Sequence, residues 1–286
     1  MPHYIFFNGK ILKKNEVFLS VEDRGLLYGD GYFETFRSYH DSFYDLMHHY
    51  NRIIDTGKFL KIEFPYTFEE FKKILYDLKY INKLNGHHCY IRVTITRGVD
   101  PFGPSIKEKH KPTIIIILKK LPQYVLDRAQ KGVHVTIMKE FVKEKNILYN
   151  YKTLNYLPSI LGFLSRKKYD DVIFIDKKGN LIEGITANLF FYKGKIIFTS
   201  NEKDLFLKGV TRKILIKGLK RSNKYFLRYR NFTEKELNEI DGAFLTNSLS
   251  GIYPILSIDG FKLKHNEQLI SNIKKIYFEE LKKGEN

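Results

Sequence analysis

Two β-branched segments, CYIRVTIT over Cys89–Thr96 and PTIIIIL over Pro112–Leu118, constrain the first half of the chain more than any other feature. Runs so rich in Ile, Val and Thr, bounded by Gly and Pro, read as strands. The same half offers further strands. IFFNGKIL, Ile5 to Leu12, reads as a hairpin turning at Asn8-Gly9. A turn at Gly29-Asp30-Gly31 leads into an alternating run from Tyr32 to Tyr39, which His40-Asp41 should turn back into a second strand at Ser42 to Leu46. Two helical patterns follow, His48 to Phe59 and Thr67 to Leu84. In the second, Phe68, Phe71, Ile74, Leu75 and Leu78 recur at helical spacing.

The second half repeats the mixture. Gly132–Met138 and Asp171–Asp176 read as strands, Leu157, Ile160, Leu161 and Leu164 mark a helix between them, and Asn188–Thr199 reads as a hairpin around Lys193-Gly194. A helix opens near Val210. The strands Ala243–Thr246 and Ile252–Ile258 precede an amphipathic helix over Asn266–Lys282. The expectation is an α+β protein of two domains, residues 1–118 and 126–286, joined by a linker over 119–125 that contains Pro122.

Charge and cysteine count narrow the function. The formal net charge is +17, but the lysines are spread along the chain without a basic block, so nucleic acid is not expected as a partner. A few placed cations suit a small anionic ligand better. No stretch approaches the ~18 uninterrupted apolar residues of a membrane span, and the N-terminus lacks a secretory pattern. Cys89 is the single cysteine, which excludes an intrachain disulfide. The chain is therefore expected to be soluble and cytoplasmic, with no membrane partner and no metal.

Three elements carry chemistry. Lys152, in YNYKTLNYLPSI, has Tyr149, Tyr151 and Tyr156 around it and precedes a helix. A desolvated lysine loses its proton more easily and can form an imine. Glu183, in GNLIEGITANLF, is a carboxylate beside Gly184, where a backbone can approach a ring closely. Gly209-Val210-Thr211-Arg212 opens a helix, and free N–H groups there with a threonine hydroxyl make an anion site. Ser248 adds a hydroxyl, and Arg52, on the helix containing His49, adds positive charge.

The segments NGK, DRGLLYGDGYFETFR, HYNR, YIRVTITRG, KTLNYL, EGITANLF, KGVTR and LTNSLSGIYP, in this order, resemble the fold-type IV or class IV aminotransferases. These enzymes use pyridoxal 5′-phosphate (PLP), and the group includes branched-chain and D-amino acid aminotransferases and 4-amino-4-deoxychorismate lyases. The resemblance implies a small N-terminal α/β domain and a larger C-terminal pseudo-barrel α/β domain. It implies that Lys152 forms the Schiff base with PLP and that Glu183 holds the pyridine nitrogen. It places Arg52, Val210, Thr211, Ser248 and Leu249 around the cofactor, most of them at its phosphate, with Tyr156 near its phenolic oxygen. It also implies a homodimer in which the partner's N-terminal domain completes each site.

Lys152 and Glu183 serve a transaminase and a lyase alike, so the substrate side must discriminate. Tyr90-Ile91-Arg92 resembles a Tyr-x-Arg motif of branched-chain enzymes, and period two puts Tyr90 and Arg92 on one strand face. Arg97, in Thr-Arg-Gly, resembles the carboxylate-binding arginine of D-amino acid enzymes. Arg37 shares a face with Phe33 and Thr35, and any of these arginines could grip a carboxylate in two-pronged fashion. Phe33-Glu34-Thr35-Phe36-Arg37 and Thr246-Asn247-Ser248 look like the lyases, whereas Phe102 and Tyr156 depart from arginines that some lyases have. A transaminase acting on small amino and keto acids is the favoured expectation, the lyase the alternative, and a basic binding protein without catalysis the non-enzyme alternative.

Overall fold

The computed structural model describes residues 3–100, 103–106, 110–200 and 205–283; Phe102 lies outside them. The chain forms two compact units, one of Met1–Pro122 with Tyr151–Asn155, the other of Gln123–Asn150 with Tyr156–Asn286.

The first unit is built on an antiparallel five-stranded sheet. β1 (Tyr4–Phe7) and β2 (Lys10–Lys13) form the expected hairpin, with Asn8 and Gly9 both at positive φ, as a two-residue turn of this hand requires. After α1 (Arg24–Tyr28) come β3 (Gly31–Arg37), α2 (Leu46–Leu60), α3 (Phe68–Ile81), β4 (Cys89–Thr96) and β5 (Thr113–Lys120). The sheet order is β2-β1-β5-β4-β3. Alternate residues Tyr32, Phe36, Ile91, Val93, Ile95, Ile114, Ile116 and Leu118 pack with Leu46 and Ile53 of α2 and Phe71, Leu75 and Leu78 of α3. Period two thus assigns one sheet face to the core and leaves Phe33, Thr35, Arg37, Tyr90, Arg92 and Thr94 on the other.

One local expectation needs correction. The strand expected at Ser42–Leu46 does not form. His40 takes positive φ, Tyr39 and Ser42 make a lone bridge, and Asp45 already stands at the N-cap position of α2, whose buried face needs Leu46. The two units divide at Pro122, and residues 119–125 also carry the last residues of β5 and the start of α4 (Gln123–Lys131). A polar helix with one buried apolar residue, Val125, gives little periodicity to read.

The second unit adds β6 (Val133–Lys143), α5 (Leu157–Ser165), β7 (Asp171–Asp176), β8 (Leu181–Gly184), β9 (Asn188–Lys193), β10 (Ile196–Thr199), α6 (Val210–Ser222), β11 (Phe226–Tyr229), β12 (Gly242–Asn247), β13 (Gly251–Ile258), β14 (Phe261–Lys262) and α7 (Glu267–Lys282). Its strand order is β11-β10-β9-β12-β13-β6-β7-β8, and β8 pairs back to β9. The six strands β9-β12-β13-β6-β7-β8 therefore close on themselves. Val135, Ile173, Leu181, Leu189, Leu245 and Tyr253, one from each of the six, share a single cluster, as the filled interior of a small barrel requires. This is the pseudo-barrel expected of the fold class. Among the described residues no helix is long and apolar enough to cross a membrane.

Candidate active site

The Lys152 segment is fastened to the first unit by backbone. Phe33 N–H donates to the Lys152 carbonyl at 2.9 Å, Leu154 N–H donates to the Gly31 carbonyl at 3.0 Å, and Tyr32 bridges to Thr153. The segment runs as an added edge beside β3. Gly31 permits the approach: a Cβ there would stand 2.4 Å from the Ile95 carbonyl and 2.8 Å from the Leu154 side chain. Tyr151 stacks on Phe59 with ring centres 3.9 Å apart. Lys152 Nζ is thereby held 4.5 Å from the centre of the Phe33 ring. The Arg92 guanidinium lies 4.0 Å from the same ring and donates from Nε to Thr94 Oγ1 at 3.2 Å. Arg37 lies across β3 and β4 from Tyr90, with its guanidinium 4.1 Å from the Tyr39 ring. Phe33, Arg37, Tyr90, Arg92 and Lys152 thus belong to one sheet face and its edge.

Arg97 has a different environment. It is buried and donates twice to Asp30, at 2.7 and 3.0 Å, and to the carbonyls of Lys61 and Leu60. Burial would raise the Asp30 carboxyl, but hydrogen bonds from Arg97 and Arg24 hold it below its ordinary value. Arg97 closes a structural knot instead of facing the Phe33 side of the sheet.

Arg52, on α2, donates from Nε and Nη2 to Glu34 at 2.8 and 2.6 Å, while its buried Nη1 has no partner. Sequence reasoning passed over Glu34. The signal was present: period two places it between Tyr32 and Phe36 on the core face, where a lone carboxylate would be costly.

In the second unit, Glu183 lies on β8, paired with Phe174 and Asn188. Its side chain is 12% exposed and ion-paired with Lys143, which is 6% exposed. Lys143 also donates to the Leu205 carbonyl at 3.1 Å and lies 4.1 Å from the Tyr149 ring centre. Burial, reinforced by the Glu183 charge, pushes the Tyr149 phenol up. Lys143 carried no signal among so many lysines. Val210 and Thr211 open α6, whose N-cap Gly209 supplies no side-chain cap. Thr211 Oγ1 lies 3.4 Å from Ser248 Oγ. Ser248 and Leu249 sit in a turn fixed by Asn247 Oδ1, which accepts from Leu249 and Ser250 N–H at 3.1 and 2.7 Å. Thr246 Oγ1, just before this turn, is buried without a partner. Tyr156 stands at the N-cap of α5. Hydroxyls, an uncapped helix start and an unpartnered donor suit a phosphate.

Comparison with known proteins defines the class. A sequence model of the amino-transferase class IV family matches residues 31–258. The chain belongs to this family. A putative branched-chain-amino-acid aminotransferase of Methanocaldococcus jannaschii is 32% identical over 95% of this chain and 93% of its own. A Staphylococcus haemolyticus D-alanine aminotransferase is 26% identical (90% and 89% covered) and a Bacillus subtilis aminodeoxychorismate lyase 29% identical (89% and 86% covered). Among solved structures, the Escherichia coli branched-chain amino acid aminotransferase superposes with a TM-score of 0.89, covering 100% of this chain and 97% of that one at 23% identity, which shows the shared fold.

Proposed function

We propose that the chain is a PLP-dependent transaminase that moves an amino group between a small amino acid and a 2-keto acid, with Lys152 carrying the cofactor. The observation behind this reading is the shared face that presents Lys152 Nζ and the Arg92 guanidinium to one aromatic ring, Phe33. A transaminase must bind two carboxylate substrates in turn beside one amine, and a planar guanidinium near that amine is suited to both.

The residues fit the cofactor. Glu183 would hold the pyridine nitrogen, and the Val210 and Thr211 N–H groups with the Thr211 and Ser248 hydroxyls would hold the phosphate. Arg52 would add charge through Nη1, with Leu249 and Tyr156 completing the surround. When bound, PLP supplies the electron sink that makes the substrate Cα proton acidic. Lys152 Nζ would take that proton as base and deliver it as acid to a different carbon, the shift that separates amino transfer from mere exchange at Cα. Phe33 and Arg92 orient the substrate, and Arg37 and Tyr90 line the same face.

We also propose a homodimer. Leu157, Ile160, Leu161 and Leu164 form an exposed apolar stripe along α5, and a second copy of the chain would cover it.

The second reading is a lyase that releases pyruvate from 4-amino-4-deoxychorismate. The Thr246-Asn247-Ser248 turn and the Bacillus subtilis relative favour it. One set of assays separates the readings. PLP uptake with a visible absorbance band, fixed to Lys152 by borohydride, supports both enzymes; a protein that takes up no PLP defeats both. Amino transfer from L- or D-amino acids to 2-oxoglutarate or pyruvate supports the transaminase. Pyruvate release from deoxychorismate without a keto acid acceptor overturns it.

A further inference from the structure

Asp45 occupies the N-cap of α2, where an aspartate ordinarily accepts an N–H of the first turn. Here its side chain makes no cap bond. Oδ2 lies instead 3.2 Å from His49 Nε2, one helical turn on, and Oδ1 is buried without a partner. The other ring nitrogen, His49 Nδ1, is 3.0 Å from Glu34 Oε1. Carboxylates only accept, so both ring nitrogens must donate and the buried ring is an imidazolium. The ring stacks on Phe36, centres 4.7 Å apart, which fixes its plane.

Glu34 passes this constraint onward. Oε1 accepts from His49, from Thr35 N–H at 3.0 Å and from Arg52 Nη2, and Oε2 accepts from Arg52 Nε. The fork fixes the Arg52 plane and leaves Nη1 as its one nitrogen without a bond to the carboxylate. Two carboxylates and two cations alternate along the row, and Arg52 is the cation at its end.

We propose that Asp45, His49 and Glu34 form a buried relay that positions Arg52, so that Nη1 is presented to a phosphate monoester which neither Asp45 nor His49 touches. Identifying that monoester as PLP rests on the reading above. Asp45 and His49 are positioning residues: they act through Glu34 on the angle of one guanidinium.

The test is a double-mutant cycle on the full-length cofactor-free protein, titrated with PLP and with phosphate-free pyridoxal and followed by absorbance. His49→Gln and Arg52→Lys should each weaken PLP binding about tenfold or more, the scale of one hydrogen bond to a charged group. Both should leave pyridoxal binding unchanged, and the double variant should bind PLP no worse than the weaker single variant. If His49→Gln does not fold by circular dichroism, Asp45→Asn, which keeps the side chain's shape, carries the same expectation. Equal losses for PLP and pyridoxal, additive losses, or wild-type PLP affinity in the relay variant would overturn the relay. If wild type takes up neither compound, the PLP reading fails and inorganic phosphate becomes the probe. Phosphate should then raise the melting temperature of wild type and not of the relay variant; an equal rise in both overturns the relay.

Discussion

Lys143 and Glu183 are ion-paired across the barrel sheet, the lysine at the end of β6 and the glutamate on β8, with both side chains almost fully buried. Lys143 adds a bond to the Leu205 carbonyl, so its ammonium is tied at two points. Removing one partner of such a pair leaves the other charge buried without compensation. Lys143→Met should therefore destabilise the cofactor-free protein by about 3–5 kcal/mol. Lys143→Met/Glu183→Leu should recover most of the loss, because no charge remains to be desolvated. Urea unfolding of wild type and both variants measures this. A double variant as unstable as the single one would show that packing, not charge, governs the site.

The arginines separate by environment: Arg92 lies over the Phe33 ring, and Arg97 is buried against Asp30. Arg92→Gln should raise KM for amino and keto acids roughly 10- to 100-fold, the value of a charge-assisted bond to a carboxylate. Arg97→Gln should leave KM nearly unchanged and instead lower stability by about 1–3 kcal/mol, since it loses bonds to Asp30 and two carbonyls. Steady-state kinetics paired with unfolding curves tells the two apart. A KM effect confined to Arg97 would reverse the assignment.

The α5 stripe predicts the oligomeric state. Leu157 and Leu164 are 71% and 75% exposed, so replacing both with Glu removes little packing within the chain and should change stability by about 0.5 kcal/mol or less each. The same change places charges in the middle of the proposed contact. Sedimentation velocity should show wild type as a dimer and Leu157→Glu/Leu164→Glu as a monomer. A dimer that persists in the variant would place the contact on another surface.

Much of this architecture was legible because period and punctuation agree. Cys89–Thr96 and Asp171–Asp176 form strands with the expected limits, and Asn8-Gly9 turns its hairpin. Short or weakly patterned pieces escaped: β8 has four residues, and α4 buries one apolar side chain. The segment 42–46 forms no strand because the turn at His40-Asp41 leads directly into α2, whose buried face takes Leu46. Proposed site residues that would act alone, such as Lys152, stood out by motif. Those that act through a partner did not. Nothing in the sequence says that Lys143 meets Glu183 40 positions away, since β6 and β8 come together only through their shared neighbour β7. Glu34 was readable in principle, as a charge at a core-facing position of β3.

That buried charge also sets a pH dependence. Burial alone would raise the Glu34 carboxyl, but the charges of Arg52 and His49 hold it well below its ordinary 4.5. Burial alone would lower His49, but Asp45 and Glu34 raise it above its ordinary 6.5. A depressed carboxyl contributes stability that is present above its unfolded value and lost as pH falls through the folded one. A raised histidine contributes stability that is present below 6.5 and lost as pH rises through its folded value. Both contributions are therefore complete between pH 4.5 and 6.5. The unfolding free energy of wild type should decline on the alkaline side of that window as His49 gives up its proton. His49→Gln cannot release a proton there, so its stability, lower throughout, should fall less steeply with pH above 6.5. Urea titrations of both proteins at a series of pH values give the two slopes. Parallel slopes would mean that His49 is not the group losing its proton, and the imidazolium drawn between Asp45 and Glu34 would have to be abandoned.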